Sequence, residues 1–92
     1  MPEPALKRTV TVANRAGLHL RAAVMIVTEA RNFDARVVIA RGQQEVEATD
    51  ALQLMTLGAD RGEQLSLEGS GAEALAALDA LEQLFLRKFD ED

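Results

Sequence analysis

Hydrophobic residues along this chain change their spacing repeatedly, from every second position to one helical turn and back. Each segment is apolar on one side only. Thr9-Val10-Thr11-Val12 alternates polar and apolar, as a half-buried strand does, and Asn14 to Gly17 reads as a turn. Ala23, Ile26, Val27 and Ala30 then fall at i, i+3, i+4 and i+7, so Leu20 to Arg31 is expected to be an amphipathic helix stopping at Asn32. Val37 and Ile39 alternate with Arg36 and Val38 within 35–41, Gly42 supplies a turn, and 44–48 alternates again, predicting a β-hairpin. Asp50 with Gln53 marks the start of a short helix that Gly58 ends. Leu65 and Leu67 lie on one face of a strand over 63–68. Ser70 with Glu73 resembles a capping box opening a last helix, with Leu75, Leu78, Leu81 and Phe85 on one stripe to about Lys88.

The order is β-α-β-β-α-β-α. Strands with one apolar face suit an antiparallel sheet wet on one side, with the three helices on the dry side. The expected class is α+β, an open-faced two-layer sandwich with a four-stranded antiparallel sheet. At 92 residues there is room for one domain, residues 1–92. With no Trp, no Tyr and three Phe, its core must be aliphatic. Both ends, Met1 to Ala5 and the acidic Asp90-Glu91-Asp92, are expected to fray.

Composition also narrows function. A net charge of −5 argues against non-specific binding to nucleic acid or anionic lipid. Without Cys there is no thiol nucleophile or thiolate metal site, and one His makes no His-rich metal centre. The longest apolar run, Ala22 to Val27, is too short to insert into a membrane. The expectation is a cytoplasmic monomer without metal or cofactor.

One region draws chemical attention. Two of the three expected helices have a capping side chain at their start. The first opens on Gly17-Leu18-His19-Leu20-Arg21, without Ser, Thr, Asp or Asn. Free backbone N–H groups at a helix start form an anion site, here those of Leu20 and Arg21. Imidazole is a nucleophile that can take up a phosphoryl group, and the Arg21 guanidinium suits its oxygens. A lone His is more often a surface or core residue than a catalyst, so spacing leaves both readings open.

Gly17-Leu18-His19-Leu20-Arg21-Ala22-Ala23 resembles the phosphorylation motif of the HPr family, Gly-(Ile/Leu/Met)-His-x-Arg-Pro-Ala. These are the histidine-containing phosphocarriers of the phosphoenolpyruvate-dependent phosphotransferase system. Phe33-Asp34-Ala35, Leu54-Met55-Thr56-Leu57-Gly58 and Arg61-Gly62 resemble further family segments, and the element order is that of the HPr fold. The tail Phe89-Asp90-Glu91-Asp92 resembles that of the nitrogen-related NPr branch. The resemblance implies a covalent carrier rather than a turnover enzyme. It would accept a phosphoryl group from phosphorylated enzyme I on Nδ1 of His19, with Arg21 in the site, and pass it to a His on a IIA-type protein. It also implies a partner surface of Leu20, Val24, Ala51, Leu52 and Met55, with Arg31 at the rim. On the residues alone, Leu52 and Met55 could equally be core.

Two positions depart from the family pattern. Ala22 stands where the motif has Pro, which returns an N–H and some freedom to the first helical turn. Asp50 stands where many members carry a regulatory Ser; as a residue type it is a good helix N-cap. These departures leave a second reading open, a regulatory binding module acting through protein partners with little or no phosphotransfer.

Overall fold

The computed structural model describes residues 5–91. The expected elements are present in the expected order: β1 (Leu6–Thr11), α1 (Leu20–Ala30), β2 (Arg36–Arg41), β3 (Gln44–Glu47), α2 (Ala51–Thr56), β4 (Gln64–Ser70) and α3 (Ala74–Leu86). The four strands form one antiparallel sheet in the order β1-β4-β2-β3.

Register explains why one sheet face is dry. Val10 lies opposite Leu65, Ile39 opposite both Leu67 and Val46, and Val37 opposite Gly69. These residues are all buried on one face, while Lys7, Gln64, Ser66, Glu68 and Arg36 point the other way. The helices cover the buried face with Ala22, Ala23, Ile26, Val27 and Ala30 of α1, Leu54 of α2, and Leu78, Leu81 and Phe85 of α3. Each such large apolar side chain contributes about 1.5–3 kcal/mol on burial. A Cβ at Gly69 would lie 3.2 Å from Leu78 Cγ, so the missing side chain lets α3 settle on the sheet. Arg8, on the inner side of β1, reaches Asp79 at 2.7 Å and Glu82 at 2.8 Å and ties this edge strand to α3.

Several expectations are corrected. Strand β4 continues to Ser70, so Ser70 does not cap α3. Glu73 occupies the position before α3, and its side chain accepts the Asp34 N–H at 2.7 Å while Asp34 O accepts the Glu73 N–H at 2.9 Å. The carboxylate joins two loops instead of closing a capping box. Leu75 is 56% exposed; the buried stripe uses Ala74 and Ala77 instead. Helix α3 ends at Leu86.

The fraying expected at the C-terminus also fails. Phe89 is fully buried and meets Phe85 edge-on, with ring centroids 4.9 Å apart. Lys88, Phe89 and Asp90 all have φ between 54° and 58°, one turn of left-handed backbone. That conformation costs a non-glycine residue about 1–2 kcal/mol. The turn persists because it seats Phe89 and carries Glu91 back across the molecule. Met1 to Pro4 and Asp92 lie outside the described residues.

Asp50 caps α2 as expected: its carboxylate accepts the Gln53 N–H at 3.0 Å. Asp50→Ser should change stability by less than about 0.5 kcal/mol, since Ser caps nearly as well, whereas Asp50→Ala should cost about 1 kcal/mol. Urea denaturation distinguishes the two, and equal losses would show that the cap is idle.

Candidate functional site

The loop before α1 is held by backbone contacts. Gly17 has φ of 71°, and a Cβ there would stand 2.5 Å from Ala59 O, so only glycine fits. The next residue, Leu18, donates its N–H to the same Ala59 O at 3.0 Å and buries its side chain. This pins the backbone on both sides of the turn and leaves His19 at the mouth of α1.

His19 corrects the reading of an uncapped helix. It is itself the N-cap: its Nδ1 accepts the Arg21 N–H at 3.2 Å, and its carbonyl accepts the Ala23 N–H at 3.0 Å. The Arg21 N–H is therefore occupied rather than free, and it points at Nδ1. An Nδ1 that accepts a hydrogen bond carries its lone pair there, so the ring proton is assigned to Nε2. Nε2 faces the Glu91 carboxylate at 3.1 and 3.2 Å. Arg21 Nη1 lies 3.3 Å from the same carboxylate, a long ion pair on a half-exposed side chain.

A buried residue organises the arrangement. The Asn14 side chain donates through Nδ2 to Gly17 O at 2.7 Å and to Glu91 Oε1 at 2.8 Å. Turning the amide over would set its oxygen against two acceptors, so this orientation is dictated even though Oδ1 finds no partner among the described residues. The Asn14 bond is the main reason the Glu91 carboxyl sits below the usual carboxylate range. The His19 hydrogen bond and the charge of Arg21 add to it, against the opposing effect of burial. A depressed carboxyl stabilises the docked tail above its unfolded pKa of about 4.3, and that contribution is lost as pH falls through the lower folded value. Amide resonances of Asp90 and Glu91 should therefore hold their docked positions from neutral pH to below about 4.3. Release at a higher pH would contradict the coupling.

The sequence-based site residues separate into two groups. His19, Leu20 and Arg21 lie together at the helix mouth. Leu20, Val24, Leu52 and Met55 are all exposed, Leu52 by 75%, which answers the alternative that Leu52 and Met55 are core. Ala51 is half-buried beside them where α1 and α2 pack. Arg31 is the exposed C-cap of α1, roughly 18 Å along the axis from His19. Sequence reasoning missed Asn14, Phe89 and Glu91. The available signal was Phe89, one of three aromatic residues in the chain, isolated in a charged tail.

The family model for the PTS HPr component phosphorylation site matches residues 6–86. Phosphocarrier protein HPr of Treponema pallidum is 40% identical over 85 residues, covering 92% of this chain and 97% of the relative. Phosphocarrier protein NPr of Shewanella violacea is 42% identical over 86 residues, covering 94% of each. A crystal structure of HPr from Thermoanaerobacter tengcongensis matches with a TM-score of 0.90 at 29% identity, over 95% of this chain and 98% of that one. A crystal structure of an HPr dimer from the same organism matches with a TM-score of 0.75 at 30% identity, over 99% of this chain and 100% of that one.

Proposed function

The chain belongs to the HPr family of phosphotransferase-system phosphocarriers, which includes the NPr branch, and from that premise we propose that Nδ1 of His19 is its acceptor atom. The observation that carries this reading is the direction of two hydrogen bonds. The Arg21 N–H donates to Nδ1, and Nε2–H is turned to Glu91. The Nδ1 lone pair thus faces the mouth of the helix, and the Arg21 N–H that it accepts must give way when it attacks phosphorus.

In the proposed exchange, enzyme I presents a phosphohistidine. The Nδ1 lone pair attacks phosphorus, the donor's P–N bond breaks, and its electron pair returns to the donor ring nitrogen. The phosphoryl oxygens then lie beside the Arg21 N–H, at a helix N-terminus that favours anions. The Arg21 guanidinium, held among the described residues by its long contact with Glu91, turns toward them. A IIA-type histidine takes the group by the same step in reverse. The exposed Leu20, Val24, Leu52 and Met55, with Ala51 between them and Arg31 at the rim, form the proposed contact for both partners. Met adapts to more than one surface. Asp50, at the family's regulatory Ser position, offers no hydroxyl for phosphorylation. Every residue the scheme needs comes from one chain, so a monomer acting in the cytoplasm suffices.

Arg21→Lys tests the guanidinium. Lys is a point charge without the planar fork, so transfer from phosphorylated enzyme I should slow about tenfold, or roughly 1.4 kcal/mol. Rapid-quench labelling measures the rate. Unchanged kinetics would mean that backbone N–H groups alone hold the phosphate.

A further inference from the structure

One buried backbone donor at the mouth of α1 is left over. Arg21 gives its N–H to His19 Nδ1, and Ala23 gives its own to the His19 carbonyl. Leu20 is exposed, where water serves a free N–H. The N–H of Ala22 meets no acceptor among the described residues, although Ala22 is fully buried. A buried donor without a partner is costly, and such groups are rare in folded chains. The N–H groups of a helix point along its axis toward its N-terminus, so this one points to the end that His19 caps. The motif that the sequence resembles has Pro at this position, which carries no N–H. The donor is therefore a feature of this chain and not of the motif.

Resting on the carrier reading, we propose that the Ala22 N–H is a further phosphate-binding group, donating to a phosphoryl oxygen once His19 carries it. The unphosphorylated ring cannot serve this donor. Nδ1 has one lone pair, which the Arg21 N–H occupies, and Nε2 bears the proton. A phosphoryl group on Nδ1 replaces that lone pair with three acceptor oxygens at the same end of the helix. The Arg21 N–H, displaced from Nδ1, and the idle Ala22 N–H can then both be satisfied. A hydrogen bond to an ionised acceptor is roughly twice as strong as one between neutral groups. Phosphorylation thus gains a strong bond and removes an unmet donor in one step. The chain should hold its phosphoryl group more firmly than a variant with Pro at position 22, and give it up less readily.

Two measurements test this. The first follows the Ala22 amide of wild-type protein, labelled with nitrogen-15, before and after phosphorylation by phosphoenolpyruvate and enzyme I. Its proton should move downfield as the hydrogen bond forms, and an amide that stays in place overturns the proposal. The second is the equilibrium of the phosphoryl group between enzyme I and the carrier. Ala22→Pro removes the N–H where no protein hydrogen bond is lost. Its equilibrium constant for accepting the group should fall about tenfold, the scale of one hydrogen bond to a charged group. Ala22→Gly keeps the N–H but loosens the first turn, so it should stay near the wild-type value. If stiffness of the turn set the equilibrium instead, Ala22→Pro would hold the group at least as well as the wild type. That result overturns the proposal, as does an equal loss in both variants. The amide measurement needs no variant, so it decides even if Ala22→Pro folds poorly. If enzyme I leaves the wild type unlabelled, the carrier reading fails instead. The amide is then read on protein charged with phosphoramidate, a small donor that phosphorylates imidazole without a partner protein.

Discussion

His19→Ala should take no phosphoryl group from phosphoenolpyruvate and enzyme I, where the wild type takes one. No other residue of the chain offers an imidazole, since the sequence holds a single His. The fold should survive. The variant loses the N-cap bond to the Arg21 N–H, worth about 1 kcal/mol, and frees Glu91 from the ring. Asn14 and Arg21 still hold that carboxylate, so the tail has partners left. Intact mass after incubation reads the label, and urea denaturation reads the stability. The same variant addresses the regulatory alternative. Contact through Leu20, Val24, Leu52 and Met55 does not need the imidazole, so partner binding should persist while transfer stops. A stable label on His19→Ala would place the chemistry elsewhere.

Phe89→Ala should destabilise the protein more than any change at the site itself. A fully buried Phe replaced by Ala costs about 3–5 kcal/mol when the surroundings cannot collapse. Here the tail can detach instead, which releases the left-handed turn and offsets part of that loss. The expected net loss is therefore at the low end, about 2–3 kcal/mol, or roughly 10 °C or more in Tm for a chain of this size. Detachment also carries Glu91 away from His19, so the Nε2 contact should vanish with the anchor. A loss within about 0.5 kcal/mol would show that the tail contributes nothing to the fold.

What the sequence made legible follows from where the information is local. Alternation at Val37 and Ile39 or at Leu65 and Leu67 marks a strand without reference to the rest of the chain, and the i, i+3, i+4 stripe marks α1 in the same way. That the strands join one antiparallel sheet with a dry side followed from which faces were apolar, whereas the order β1-β4-β2-β3 comes from pairings distant in sequence. The motif around His19 was legible because its residues are neighbours in sequence. Capping was less so. Ser70 and Glu73 have the right spacing, but β4 continues through Ser70, and Glu73 does better by accepting the Asp34 N–H across a loop. His19 caps α1 although imidazole is outside the usual set of Ser, Thr, Asp and Asn.

The largest gap was Glu91. It meets His19 from 72 residues away, through an anchor and a turn whose backbone no propensity favours. Acidic residues at a chain end ordinarily mean solvation, and only the tertiary position of Phe89 reverses that reading. Asn14 looked like a turn residue for a similar reason. Its second bond, to Glu91, exists only once the tail is in place.

The account turns on which ring nitrogen is the nucleophile. Wild-type protein, labelled with nitrogen-15 in its His and phosphorylated by phosphoenolpyruvate and enzyme I, answers this directly. Phosphorus–nitrogen coupling should appear at Nδ1 of His19, the nitrogen that accepts the Arg21 N–H, with Nε2 still facing Glu91. Coupling at Nε2, or a label on any other residue, would contradict it.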